Sequence, residues 1–177
     1  TVAAALGLGL KHAVHRVPPA NIETSMYAHA PMERSPSGKP VLIPMTPFKF
    51  ESIPSRGDWC AMYARLAAEK AFGIRYTRAP SAWELPEKNR LVWRRNDPAS
   101  PGDFHSLIRP GHLLGIFLPS SPNNKPGRPF THVALYVGIE KGKQVVMHRI
   151  GRTNYLEPLE ELIAKRRAEV RAVIEPK

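Results

Sequence analysis

Apolar positions recur with two different periods in the second half of the chain and with none in the first. Residues 59–72, WCAMYARLAAEKAF, contain no Gly or Pro and are rich in Ala, Leu, Met, Glu and Lys, a composition that favours helix. Tyr63, Leu66, Ala67 and Lys70 fall on one helical stripe. Asp58 stands where an N-cap belongs, and Gly73 follows the stretch as a C′ residue does. Four short β-rich runs come later: LLGIFL (113–118), HVALYVGI (132–139), QVVMHR (144–149) and EVRAVI (169–174). Between the last two, PLEELIAKRRA (158–168) predicts a helix with its acids first and its bases last, the order that the helix dipole prefers. Residues 79–109 mix prolines with short apolar pieces and read as loops with a helical turn or two. A helix, then antiparallel strands, then one more helix before the last strand is an α+β pattern.

The first third has another texture. Residues 18–54 carry eight of the 19 prolines, and proline removes a backbone donor and disfavours helix in the residue before it. The expected organisation is an N-terminal segment and proline-rich extended arm over 1–54, with little regular structure, followed by a folded domain over 55–177. VLIPM (41–45) and PFKF (47–50) are the apolar pieces expected to anchor the arm. Residues 1–10, TVAAALGLGL, followed by Lys11, His12, His15 and Arg16, fit either the remnant of a trimmed signal or anchor or a short packed helix.

Composition narrows the chemistry. The chain has 177 residues, of which 42% are hydrophobic, enough to bury a real core. No apolar run is long enough to span a bilayer. A single cysteine excludes an internal disulfide and a multi-cysteine metal site, and the seven histidines show no metal-ligand spacing, so neither a metal nor another cofactor is expected. Lys and Arg outnumber Asp and Glu by 26 to 15, a net charge of +11, which favours an anionic partner, whether nucleic acid, an acidic membrane face or a bacterial wall polymer, without choosing among them. The basic run Lys165-Arg166-Arg167 lacks the interleaved aromatics of a single-strand binder, and no nucleic acid is expected.

Cys60 falls in the first turn of the predicted helix, where unpaired N–H groups and the positive dipole end stabilise a thiolate. A thiolate enzyme needs a base, and His132 opens the strand HVALYVGI. His148 lies in the next strand. A three-residue loop over Glu140-Lys141-Gly142, with Gly142 in the left-handed region, would pair Ile139 with Lys143 and Ala134 with His148. His148 would then lie diagonal to His132 on the same face, roughly 7–8 Å away along the backbone, placed to orient the His132 ring. A two-residue loop would shift the register by one and separate the pair.

The series DWCAMYARLA, PGHLLGIF, HVALYVG and VVMHR resembles the NlpC-type cell-wall cysteine peptidases of the papain-like superfamily, over about residues 57–150. The resemblance implies a papain-like fold with the nucleophile-bearing helix packed on a central antiparallel sheet. It places the nucleophile at Cys60, the base at His132 and the orienting residue at His148. Asp58 and Trp59 beside the thiol, and His112 in the Pro-Gly-His-Leu segment, are the candidate substrate-binding residues. The chain departs from the family in having Ala61-Met62 after the cysteine and His112 where an aspartate is usual. CHAP-type amidases share the Cys-then-His order. The implied activity is hydrolysis of an amide in bacterial cell-wall peptides, through a thioester acyl-enzyme, in the periplasm or outside the cell. The alternatives are a papain-like acyl hydrolase or transferase on a lipid or protein amide, and a non-catalytic module binding wall or polyanion.

Overall fold

The computed structural model describes residues 27–34, 40–44 and 60–177, apart from 101, 141 and 152. The segment 1–16, the apolar piece 47–50, Asp58 and Trp59 lie outside the described residues. Within 18–54, the expectation of an arm with little regular structure is corrected at two places. β1 (Tyr27–Arg34) and β2 (Pro40–Pro44) form an antiparallel pair. Its prolines are tolerated because a two-stranded sheet has only edges. Pro31 falls in the stretch between Ala30 and Arg34 where the register shifts, and Pro40 and Pro44 are the first and last residues of β2.

α1 (Cys60–Phe72) matches the predicted helix. Its buried face is narrower in side-chain size than the predicted stripe: Tyr63 is joined by Ala64, Ala67, Ala68 and Ala71, while Leu66 is only partly buried. Four alanines let the helix axis come close to the sheet beneath it. The helix ends at Gly73, whose φ is 71°, and the Gly73 and Ile74 N–H groups donate back to the Glu69 and Ala68 carbonyls. Glycine takes that left-handed conformation without a Cβ penalty.

Next come a single 3₁₀ turn (Ala82–Glu84), the short α2 (Leu85–Lys88) and β3 (Arg90–Arg94). β4 (Leu113–Phe117), β5 (His132–Glu140) and β6 (Lys143–Ile150) follow. The chain closes with β7 (Thr153–Pro158), α3 (Leu159–Arg166) and β8 (Glu169–Glu175). The six strands from β3 onward form one sheet in the order β3-β8-β4-β5-β6-β7, antiparallel throughout. The α+β expectation holds. β3 and β7 were not predicted, since RLVWR was read as part of a loop region and TNYLEP ends in proline with one clear apolar residue inside. Both are the edge strands, which need only one neighbour and carry the weakest alternation.

Alternation along β4–β6 splits the core in two. Leu113, Val133, Leu135, Met147 and Leu156 face α1. Leu114, Ile116, Ala134, Tyr136 and Val146 face the other way, toward Leu159 and Leu162 of α3. The β5–β6 connection is tighter than expected, with Glu140 opposite Lys143, and Gly142 takes the left-handed conformation at φ 74°. That tight turn by itself would have separated the two histidines. A bulge between Tyr136 and Gly138 absorbs one residue and restores Ala134 opposite His148.

Gly115 on β4 lies beneath the buried Phe130 ring, so an added Cβ would sit 2.7 Å from the ring atoms. Gly115→Ala is expected to destabilise the domain by about 1–3 kcal/mol, read as a lower urea midpoint at unchanged m-value. An unaltered midpoint would show that Phe130 is free to move aside.

Candidate functional site

Three strands build a chain of polar groups on the α3 face of the sheet. His132 is the first residue of β5 and pairs with Ile116. His148 on β6 pairs with Ala134, one diagonal step away, as the sequence predicts, and Glu157 on β7 stands one further step along, opposite Val146. His132 Nε2 lies 3.0 Å from His148 Nδ1, and His148 Nε2 lies 2.9 Å from Glu157 Oε1. The two rings meet edge to face, 87° apart, and Tyr155 stacks on the far side of His148 at 5.0 Å. All three chain members are buried: His132 is 4% exposed, His148 0% and Glu157 3%.

The hydrogen-bond inventory gives this chain a direction. Burial alone would raise the Glu157 carboxyl, but its bond to His148 and the charges of Lys165 and Arg166 outweigh that and hold it below the usual carboxylate value. It is therefore an acceptor, and His148 Nε2–H donates to it. Burial pushes His148 below its ordinary value despite Glu157, helped by Arg166. A neutral His148 with its proton on Nε2 offers Nδ1 as an acceptor, so His132 donates from Nε2. Burial, then His148 and Arg166, hold His132 well below its usual value. The neutral His132 ring then carries its lone pair on Nδ1, the condition a general base requires. Glu157 was missed in the sequence because β7 was missed. With that strand in hand, Glu157 would have been the one acid on the diagonal beyond His148.

Cys60 reaches the same region from the other face. α1 covers the opposite side of the sheet, and its first residue stands at the end of β5, where the thiol donates to the Thr131 carbonyl at 3.6 Å. That carbonyl belongs to the peptide bond leading into His132. The thiol thus meets the backbone at the start of the strand from the α1 side, while the imidazole of the next residue turns to the α3 side toward His148. Cys60 and Thr131 line a cavity on the α1 side, and His132 is not among the residues that line it. The strand's alternation is the reason, since His132 is in phase with Ala134 and Tyr136, which face α3.

His112 is not brought to this cluster. It precedes β4, and its carbonyl accepts from the Tyr136 N–H, four residues along β5 from His132, roughly 13 Å by strand rise. There its Nδ1 accepts from the Arg109 N–H at 3.0 Å and its Nε2 lies 3.3 Å from Glu175. Burial, with Arg109 and Arg90, lowers it to about 4. Arg90 pairs with the same Glu175 carboxylate and offsets its attraction for a proton on His112. Among the described residues no group of three or more His, Cys, Asp or Glu is arranged to hold a metal ion, and no helix is long and apolar enough to cross a membrane. No family model, curated protein or solved structure matches the chain.

The buried histidines make stability sensitive to acid. A histidine whose folded pKa lies below its unfolded value takes up its proton more readily in the unfolded chain, so its contribution is complete above about pH 6.5 and is lost as the pH falls. For His112 the loss extends down to about 4, roughly 3 kcal/mol over that window. Glu157 adds loss at the acid end, since its contribution is present above 4.5 and disappears as the pH falls through its folded value. Urea midpoints are expected to fall steadily from neutral pH downward, less steeply in His112→Gln. A flat profile across this range would contradict neutral buried imidazoles.

Proposed function

We propose that this protein is a papain-like, NlpC-type cysteine hydrolase that cleaves an amide in bacterial cell-wall peptides in the periplasm or outside the cell. The observation that carries this reading is the contact of the Cys60 thiol with the Thr131 carbonyl, next to an imidazole that heads a His132–His148–Glu157 chain. His132 Nδ1 takes the thiol proton. The thiolate attacks the amide carbonyl carbon to give a tetrahedral oxyanion, and the N–H groups of the first turn of α1 face the place where that charge develops. The imidazolium returns the proton to the leaving amine, leaving a thioester. Water then attacks the thioester, with His132 again as base, and frees the acid and the thiol. Glu157 holds His148, and His148 holds His132, in the tautomer that keeps Nδ1 open. No cofactor enters these steps. The net charge of +11 suits an anionic wall.

A second reading has support from the face assignment. His132 and His148 lie on the α3 side, fully buried, while α1 covers the other side. The chain would then be a structural network beneath a non-catalytic wall- or polyanion-binding surface.

Digestion of purified peptidoglycan, with mass spectrometry of the fragments, separates the two. Cys60→Ala and His132→Ala are each expected to lower cleavage roughly 10³-fold or more, since members of one catalytic unit are not additive. His148→Ala should cost less, and His148→Asn less again, because the amide can still accept the His132 bond. Glu157→Gln should shift the pH profile by loosening the tautomer. Cleavage retained in Cys60→Ala sinks the hydrolase reading. Loss of fold in the histidine variants, together with slow thiol labelling lacking any pH dependence below the ordinary thiol range, supports the structural one.

A further inference from the structure

The cavity beside Cys60 has a charge pattern that the catalytic steps do not use. It encloses about 350 Å³ between the start of α1 and the segment 78–83, a volume in the range of small-ligand sites. Arg65, Arg78 and Arg128 all line it, and among the described residues that line it none is acidic. The nearest balancing group on α1, Glu69, is engaged with Arg75 at 3.0 Å. Arg128 is held in place, its guanidinium 4.2 Å from the centre of the Trp83 ring and one N–H donating to the Asn123 carbonyl at 3.0 Å. That fixes the plane of its remaining donors. Arg65 is half-buried, and burial, then the charge of Arg78, lowers its pKa against the opposing pull of Glu69. Three arginines lining one cavity suit oxyanions, which accept paired hydrogen bonds from guanidinium groups.

We infer that this cavity is an anion subsite that takes a small ligand carrying at least two oxyanion groups, carboxylate or phosphate, with Arg78 and Arg128 as its principal contacts and Trp83 as its wall. That this ligand is part of the substrate, its anionic flank docked while a neighbouring carbonyl meets the thiol, rests on the hydrolase reading. Binding itself does not, because none of the three arginines takes part in the proton transfers.

Equilibrium titration of the full chain carrying Cys60→Ala tests this with no turnover. The probes are glutarate, pyrophosphate and the neutral diamide glutaramide. At least one dianion is expected to bind, to weaken with rising salt, and to bind at least about tenfold more tightly than the diamide, the scale of one lost charged hydrogen bond. Preference for glutarate assigns the subsite to carboxylates, and preference for pyrophosphate to phosphates. Arg78→Gln and Arg128→Gln should each weaken the preferred dianion about tenfold. Both side chains are at least partly exposed, so the folds should survive, as an unchanged melting curve will show. Equal binding of dianion and diamide, binding of none of the probes, or affinity unmoved in both arginine variants overturns the subsite. If the dianion binds but wall peptides are not cleaved by the unmodified chain, the subsite stands and the hydrolase reading fails. If cleavage occurs without any anion preference, the reverse holds.

Discussion

The register of β5 against β6 is the constraint on which the polar chain depends, and two local irregularities of opposite effect set it. The turn between Glu140 and Lys143 is tight, and alone it would put His148 out of phase with His132. The bulge between Tyr136 and Gly138 adds the residue that brings them back. A slip of one position exchanges the two faces of a strand. Here it would turn His148 toward the alanine face of α1, where Met147 now sits in a close-packed core, and would expose a methionine to the polar chain. The cost of that exchange holds the register, and with it the 3.0 Å contact between the two rings.

Given the register, the remaining order follows from a single buried carboxylate. Glu157 is 3% exposed, and a carboxylate taken out of water is unfavourable unless it is hydrogen-bonded and paired with charge. His148, Lys165 and Arg166 supply this, and they reach it from β6 and from α3. Because the carboxylate can only accept, each imidazole in turn has one possible tautomer. A proton position on His132, at the head of the chain, is thereby dictated two residues away by an acid on the sheet's edge strand. Neutral imidazoles also carry no charge to repel each other across 3.0 Å.

The two faces of the sheet carry different chemistry. On the α3 side there is a closed polar chain within an aliphatic layer. On the α1 side the alanine-lined contact draws the helix down onto the sheet, and that closeness sets the first turn of α1 against the Thr131 carbonyl at the strand end. Between α1 and residues 78–83 lies a cavity lined by arginines from three separate parts of the chain. A large side chain at Ala64 or Ala68 would lift the helix and disturb both the thiol's contact and the shape of that space.

Much of this was legible along the chain, and the reason is periodicity. α1, α3 and the strands β4, β5, β6 and β8 carry runs long enough for their apolar spacing to be read, so the α+β order could be deduced from one sequence; the pairing of Ala134 with His148 was expected too, but from a three-residue loop where the structure has a tighter turn and a bulge. The edge strands β3 and β7 could not, because a strand with one neighbour needs little alternation, and Glu157 was lost with β7. The bulge at 136–138 was invisible too: it is a compromise between a turn and two cores that meet only in the folded sheet. By itself, then, the sequence determined which residues alternate and which cysteine opens a helix, since both are properties of neighbouring positions. Only the tertiary structure decided that His132 faces α3 while Cys60 arrives from α1, that Glu157 closes the chain, and that Arg65, Arg78 and Arg128 share one cavity. Those relations join positions up to 71 residues apart around a cavity and across three strands, where packing and desolvation, rather than local spacing, set what touches what.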